Sequence, residues 1–320
     1  MGDLTRLFSE FFERGSAILG VQAPRTNGDQ PWTAPVVTGA ALGLPGRDRV
    51  FGDDNVQHIL DGEQEIDLIP TRFRHAMLDK HITRLVKTGG EPHFESIESS
   101  SDVIKLAARA GAFDLEQEYG ISGERIEAFD VVTKLAMAAG LEALRDAGLP
   151  LVMHYRTTTK GTRLPERWML PDSLRDDTAV IFASAFPGFD SFAEELDQYY
   201  EDHARVTEIA MLKSLLGRAR DEDGASILGD EIERRLHELE AEQAEKAYRF
   251  DRRFLFRVLP MAHAPFAEYI GARGPNTHVN SACASTTQAF SLAEDWIRTG
   301  RCRRAIVLAA DDATSEQLLE

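Results

Sequence analysis

The chain has 320 residues, 43% of them apolar and 28% charged, a composition that excludes wholesale disorder and supplies enough apolar matter for a sizeable core. Its 36 Lys and Arg against 53 Asp and Glu leave a formal net charge of −17, a field that repels phosphate backbones and anionic bilayers and so excludes nucleic acid and membrane surfaces as expected partners. The two cysteines cannot build a disulfide framework and no Cys-x-x-Cys pair suggests zinc, which fits a reducing cytoplasm.

In chain order, Leu4, Leu7, Phe8, Phe11 and Phe12 recur at helical spacing ahead of a polar, proline-bearing stretch. This pattern predicts an amphipathic N-terminal helix and linker over residues 1–34, lacking the continuous apolar run of a signal peptide. No other run approaches a membrane span. The β-branched run Val36-Val37-Thr38 enters a glycine-rich turn at residues 39–46 and predicts a strand, with a helix to follow at 55–60. The glycine spacing is not the dinucleotide fingerprint, and Pro45 would interrupt a phosphate-binding helix start, so a structural turn and no cofactor are expected.

Residues 65–125 carry mixed signals, with helical pieces expected around 73–86 and 100–110. From Phe129 to Ala147 the pattern is clearer: Val132, Leu135, Ala136, Ala139, Leu144 and Ala147 line one face, and Gly148 and Pro150 end a buried helix. The nearly continuous apolar run from Asp177 to Ala185 suits a central strand covered on both faces. Residues 189–248 turn helical and charged, with Asp230 and Arg234, Glu231 and Arg235, and Glu242 and Lys246 spaced for i,i+4 pairs beside Ile232, Leu236 and Leu239. That predicts an α-helical insertion at about 189–250.

The most informative block runs from Gly274 to Ala310. Thr277 to Asn280 reads as a strand and Ala284 to Arg298 as a helix closed by Gly300, so Cys283 falls at the first helical turn. Unpaired N–H groups there favour the nucleophilic form of sulfur and can hold the oxygen of a carbonyl that it attacks. Ala289, Phe290, Ala293, Trp296 and Ile297 are expected on the buried side of the helix, and residues 305–310 form another interior strand. Strand, helix and strand read as one right-handed parallel unit with the cysteine at a strand's carboxyl end. Arg298, Arg301, Arg303 and Arg304 read as a solvated helix end, Cys302 as a structural thiol, and His263 and His278 as structural histidines.

These residues resemble the active-site block of the β-ketoacyl synthases, condensing enzymes of the thiolase-like superfamily. The resemblance rests on Gly274-Pro275, Ala282-Cys283-Ala284-Ser285, Ile297-Arg298-Thr299-Gly300 and the small apolar strand from Ala305 to Ala310. Weaker echoes lie at Val36-Val37-Thr38-Gly39, at Glu142 to Leu149 and at Thr178 to Gly188, so that it spans roughly residues 35–316. It implies an α/β fold, the N-terminal half of the layered αβαβα condensing-enzyme architecture, over residues 35–320. It further implies that Cys283 accepts an acyl group from an acyl carrier protein, that its backbone N–H helps bind the thioester oxygen, and that decarboxylative Claisen condensation follows in fatty-acid or polyketide synthesis. Substrates would ride on the carrier's phosphopantetheine, with no resident cofactor or metal. A homodimer is implied, as is a C-terminal half carrying the catalytic histidines, supplied by a longer chain or another one. The alternative is a catalytically incomplete thiolase-fold subunit acting as a structural partner.

Overall fold

The computed structural model describes residues 34–87, 89–109, 111–221, 227–259 and 261–314; the expected amphipathic helix lies outside them. The architecture is that of the compact unit Val37–Glu320. It begins with short elements: α1 (Asn55–Leu60), β1 (Asp67–Leu68), α2 (Thr71–Asp79), β2 (Thr83–Val86), β3 (His93–Ser96), β4 (Leu106–Ala107), α3 (Leu115–Tyr119) and α4 (Gly123–Ile126). β1 pairs with β4 and β2 with β3, both antiparallel. Ile69, Phe73, Met77 and Val103 form a small apolar cluster among them.

Three sequence expectations fail in this part. Residues 36–38 form no strand; Val36 and Val37 are exposed, and the next segment is tied down by Asp146, whose carboxylate accepts the Ala40 N–H at 2.8 Å. A β-branched run makes a strand only where it finds a partner edge and a surface to pack on. The helix expected over 73–86 stops at Asp79, because His81 takes a left-handed φ of 52° and β-branched residues carry the chain into β2. Of the helix expected over 100–110, none forms over the described residues 100–109; the Ser99 and Ser101 hydroxyls bond each other and the Ser101 N–H bonds Ser99 Oγ, a local turn that competes with helix.

Next comes α5 (Val131–Asp146). Asp130 caps it, accepting the Thr133 N–H at 2.9 Å on one carboxylate oxygen and the Gly188 N–H at 2.8 Å on the other. Gly140 brings this helix close to its neighbours: a Cβ there would lie 2.4 Å from the Phe266 ring and 2.7 Å from Leu308. The hairpin of β5 (Val152–Thr157) and β6 (Arg163–Met169) is not anticipated by the sequence pattern, since Pro165 and charged residues interrupt its alternation and its register shifts at His154/Tyr155. α6 (Asp172–Arg175) leads into β7 (Thr178–Ala183), whose six residues are all buried.

The charged stretch is helical, as α7 (Phe189–Asp221) and α8 (Ile227–Lys246), packed on each other. Leu239 of α8 is buried. The buried guanidinium of Arg205 donates to Gln243 Oε1 at 2.8 Å and to the Lys246 carbonyl at 3.1 Å. Of the expected helical pairs Glu242–Lys246 is present at 3.5 Å, while Arg235 reaches across to Glu208 instead, at 3.2 Å. The chain then forms α9 (Phe254–Val258), α10 (His263–Ile270), β8 (Asn276–Val279), α11 (Ser285–Arg298) and β9 (Arg304–Ala309).

A three-stranded parallel sheet in the order β8-β7-β9 organises the core. The sequence predicts β8, α11 and β9 as one parallel unit. The two strands are parallel, with β7 between them, so α11 spans the central strand. The register pairs Val180 with Asn276 and Ile306, and Ala183 with Val279 and Ala309. Alternation along β7 then divides the core in two. Val180 and Phe182, with Ile306 and Leu308, pack against Val132, Ala136 and Met137 of α5 and Phe266 and Ile270 of α10. Ala179, Ile181 and Ala183 meet Ala289, Ala293 and Trp296 of α11 from the other face. The small residues on that face let α11 lie close. Entry into β8 is equally tight: a Cβ at Gly274 would stand 2.4 Å from the Thr178 carbonyl oxygen.

Candidate active site

All three parallel strands end at the same edge, and the turn from β8 into α11 is displayed there. Residues 280–284 are exposed, Cys283 among them, while Ser285 beneath them is buried. Side chains hold the turn. Asn280 Oδ1 accepts the Ala282 N–H at 3.1 Å. Ser285 Oγ accepts the Ser281 N–H at 2.8 Å and donates to the Ala282 carbonyl at 2.6 Å. Ser281 Oγ donates to Gln288 Oε1. Between these anchors Ala282 adopts a φ of 50°, the left-handed region that a residue with a Cβ occupies only when its surroundings over-determine it. None of these bonds uses the N–H of Cys283, and α11 has no side-chain cap. The Ala284 and Ser285 N–H groups donate to the Ser281 and Ala282 carbonyls at 3.1 and 3.0 Å, so the Cys283 N–H is the donor beside the sulfur of the kind that holds an oxyanion.

The adjoining loop is fixed by Asp311, one residue past Ala310. Its Oδ1 accepts Ser184 Oγ at 2.7 Å, the Ala185 N–H at 2.8 Å and the Phe186 N–H at 3.0 Å. Ala185 in turn accepts a hydrogen bond from Asn280 Nδ2 at 3.2 Å. Nothing in the sequence singles out Asp311 or Asn280, because the signal is a meeting of β7, β8 and β9 ends that no local spacing reveals.

The two histidines near the sheet lie on its α10 face, His278 within reach of the Ser184 backbone and of the Asp311 charge. His278 of β8 packs its ring on Phe182, with centroids 5.4 Å apart, on the face covered by α5 and α10. Burial pushes its pKa down, and burial together with the nearby His278 does the same for His263 of α10. His278 Nε2 and His263 Nδ1 are buried without hydrogen-bond partners. Cys302 is buried against α11, and that burial pushes its thiol pKa up. The basic cluster is engaged within the chain: Arg301 lies over the Trp296 ring at 5.1 Å and Arg304 donates to the Leu174 carbonyl at 3.2 Å. Phe290, expected on the buried side of α11, is 52% exposed. Among the described residues no cluster of three or more His, Cys, Asp or Glu could hold a metal, and no helix is long and apolar enough to cross a membrane.

Helices on both faces of a parallel sheet, with an exposed cysteine where a strand gives way to a helix, give an α/β fold with a thiol at the carboxyl edge of its sheet. Residues 193–319 match the family described as "Beta-ketoacyl synthase, N-terminal domain", so the resemblance carried by Gly274 to Ala310 holds over that segment. The matched segment includes α7 from residue 193 onward, α8 and the Cys283 turn; the echoes upstream of it are not covered. No curated protein matches the chain.

Among solved structures, a β-ketoacyl synthase from Burkholderia phymatum is 15% identical, with a TM-score of 0.44 over 85% of this chain and 45% of the other. The ishigamide ketosynthase/chain length factor is 15% identical, with a TM-score of 0.41 over 89% and 58%. The PfaC keto synthase–chain length factor is 14% identical, with a TM-score of 0.47 over 91% and 26%. The chain thus spans less than two thirds of each of these structures.

Proposed function

We propose that this chain carries the nucleophile-bearing part of a β-ketoacyl-(acyl-carrier-protein) synthase. The sulfur of Cys283 attacks the carbonyl of a carrier-bound acyl thioester, a new C–S bond forms, and the carrier thiol leaves with the proton. A malonyl-type extender then loses CO₂, its α-carbon attacks the acyl group on Cys283, and the thiolate is regenerated as the new carbon–carbon bond forms. Splitting one hard acyl transfer into two is what a cysteine nucleophile does well. The observation that carries this reading is an exposed Cys283, seated on a side-chain-braced turn at the carboxyl edge of a parallel sheet, within the segment that matches the family. The acyl carrier protein is the proposed partner, the second catalytic half comes from further chain or another subunit, and a homodimer in the cytoplasm is the proposed assembly.

A second reading, a thiolase-fold subunit that only completes a partner, is favoured by one fact: the two imidazoles with orphan ring nitrogens lie on the α10 face of the sheet, whereas the helix that Cys283 leads into packs on the other face. The two readings separate in a protection experiment. Iodoacetamide labels Cys283 in the free protein, and prior incubation with an acyl thioester blocks that labelling if the cysteine is a nucleophile. Labelling at the same rate with and without the thioester would decide for the structural subunit.

A further inference from the structure

We infer that Asp311, acting through Asn280, is the positioning residue for the Cys283 sulfur, an inference that rests on Cys283 being the acyl acceptor. The connection is a continuous relay of hydrogen bonds. The Asp311 carboxylate gathers Ser184 Oγ and the N–H groups of Ala185 and Phe186, with Oδ2 sharing the Ala185 N–H at 3.0 Å. That fixes the peptide whose carbonyl, on Ala185, receives Asn280 Nδ2. The same Asn280 amide, through its oxygen, holds the N–H of Ala282, the residue bent into left-handed backbone immediately before Cys283.

The relay joins the ends of all three strands. Ser184 is fully buried, its N–H bonds the Val279 carbonyl at 3.3 Å, and the Ala310 N–H bonds the Ala183 carbonyl at 3.3 Å. Asp311 therefore reads the position of β7 and β9 and passes it to the turn that leaves β8. Ser285 Oγ holds the Ala282 carbonyl from below, so the Ala282 peptide is gripped at both ends and the direction in which Cys283 projects is set by side chains rather than by helix geometry alone. A carboxylate is suited to the post, because charge-assisted bonds to several N–H and O–H donors are stronger than neutral ones. Positional error at a nucleophile is expensive in rate: a shift of about 1 Å costs up to about a hundredfold.

The test compares the full-length protein with Asp311→Ala, Asn280→Ala, the double variant and Asp311→Asn. Two rates are read: acylation of Cys283 by an N-acetylcysteamine acyl thioester, and amide hydrogen exchange at Ala282. Loss of either relay member is expected to slow acylation about tenfold and speed Ala282 exchange by a similar factor. The double variant is expected to be no slower than the worse single one, since both residues act in one chain of contacts. Asp311→Asn keeps Oδ1 and should return acylation to within about threefold of wild type, which a merely unfolded variant could not mimic. If wild type is acylated and the alanine variants match it in both rates, the inference is overturned while the nucleophile reading stands. If wild type takes no acyl group, the nucleophile reading fails, and faster Ala282 exchange in the variants still supports the relay whereas unchanged exchange removes it.

Discussion

Replacing Gly140 by alanine sets two well-known effects against each other. An alanine in a helix interior is favoured over glycine by about 1 kcal/mol, because it loses less backbone entropy on folding. Against this, the new methyl would lie 2.4 Å and 2.5 Å from two ring atoms of Phe266 and 2.7 Å from Leu308 Cδ2. Phe266 is 0% exposed and Leu308 1%, so neither has free space to retreat into, and overpacking of this kind costs about 1–3 kcal/mol. Packing should win, leaving Gly140→Ala destabilised by about 1 kcal/mol or more in urea unfolding, with the slope unchanged. Gly217, exposed within α7 with nothing within 4 Å of the place a methyl would occupy, is the internal control; Gly217→Ala should stabilise by about 0.5–1 kcal/mol. Adding Phe266→Leu to Gly140→Ala should recover stability, with a coupling above about 0.5 kcal/mol. A Gly140→Ala protein as stable as Gly217→Ala would refute the close approach of α5 to α10 and β9.

On α11, Trp296→Ala should cost about 3–5 kcal/mol, whereas Phe290→Ser should cost under about 1 kcal/mol because that ring is already half in water; equal losses would overturn the assigned face. Arg205→Ala should expose the α7–α8 packing, leaving the Lys246 carbonyl and Gln243 without their donor at a cost of about 1–3 kcal/mol; faster amide exchange confined to residues 240–246 is the signature, and unchanged exchange would contradict it. His263 and His278 have folded pKa values below the ordinary 6.5, so the unfolded chain binds more protons as pH falls through that value. Stability from these two groups is therefore full above pH 6.5 and is lost on acidification below it. His278→Leu should flatten that part of the pH–stability curve, and an unchanged slope would remove the assignment.

The elements that the sequence makes legible are those whose signal is strong and whose environment is uniform. β7 is apolar after Thr178 because helices cover both of its faces, and α5 carries an apolar stripe and a stop at Gly148. Cys283 stands out because its strand, turn and helix are contiguous. What stays hidden depends on distant parts of the chain. Val36 and Val37 look like a strand until no edge receives them, and the β5–β6 hairpin survives a proline and a register shift through pairing that periodicity cannot register. Phe290 fits the apolar stripe of α11, yet the facing surface of small residues on β7 is filled by Ala289, Ala293 and Trp296. Asp311 and Asn280 belong to different strand ends, and only the parallel order β8-β7-β9 brings them to one loop.

The central claim, that the sulfur of Cys283 is an acyl acceptor, is tested most directly by incubating the intact protein with an acyl thioester and mapping the added mass by peptide mass spectrometry. The expected result is one acyl group on Cys283, released by hydroxylamine, absent from Cys283→Ala and not found on Cys302. An unmodified Cys283, or acylation spread equally over both cysteines, would contradict the account.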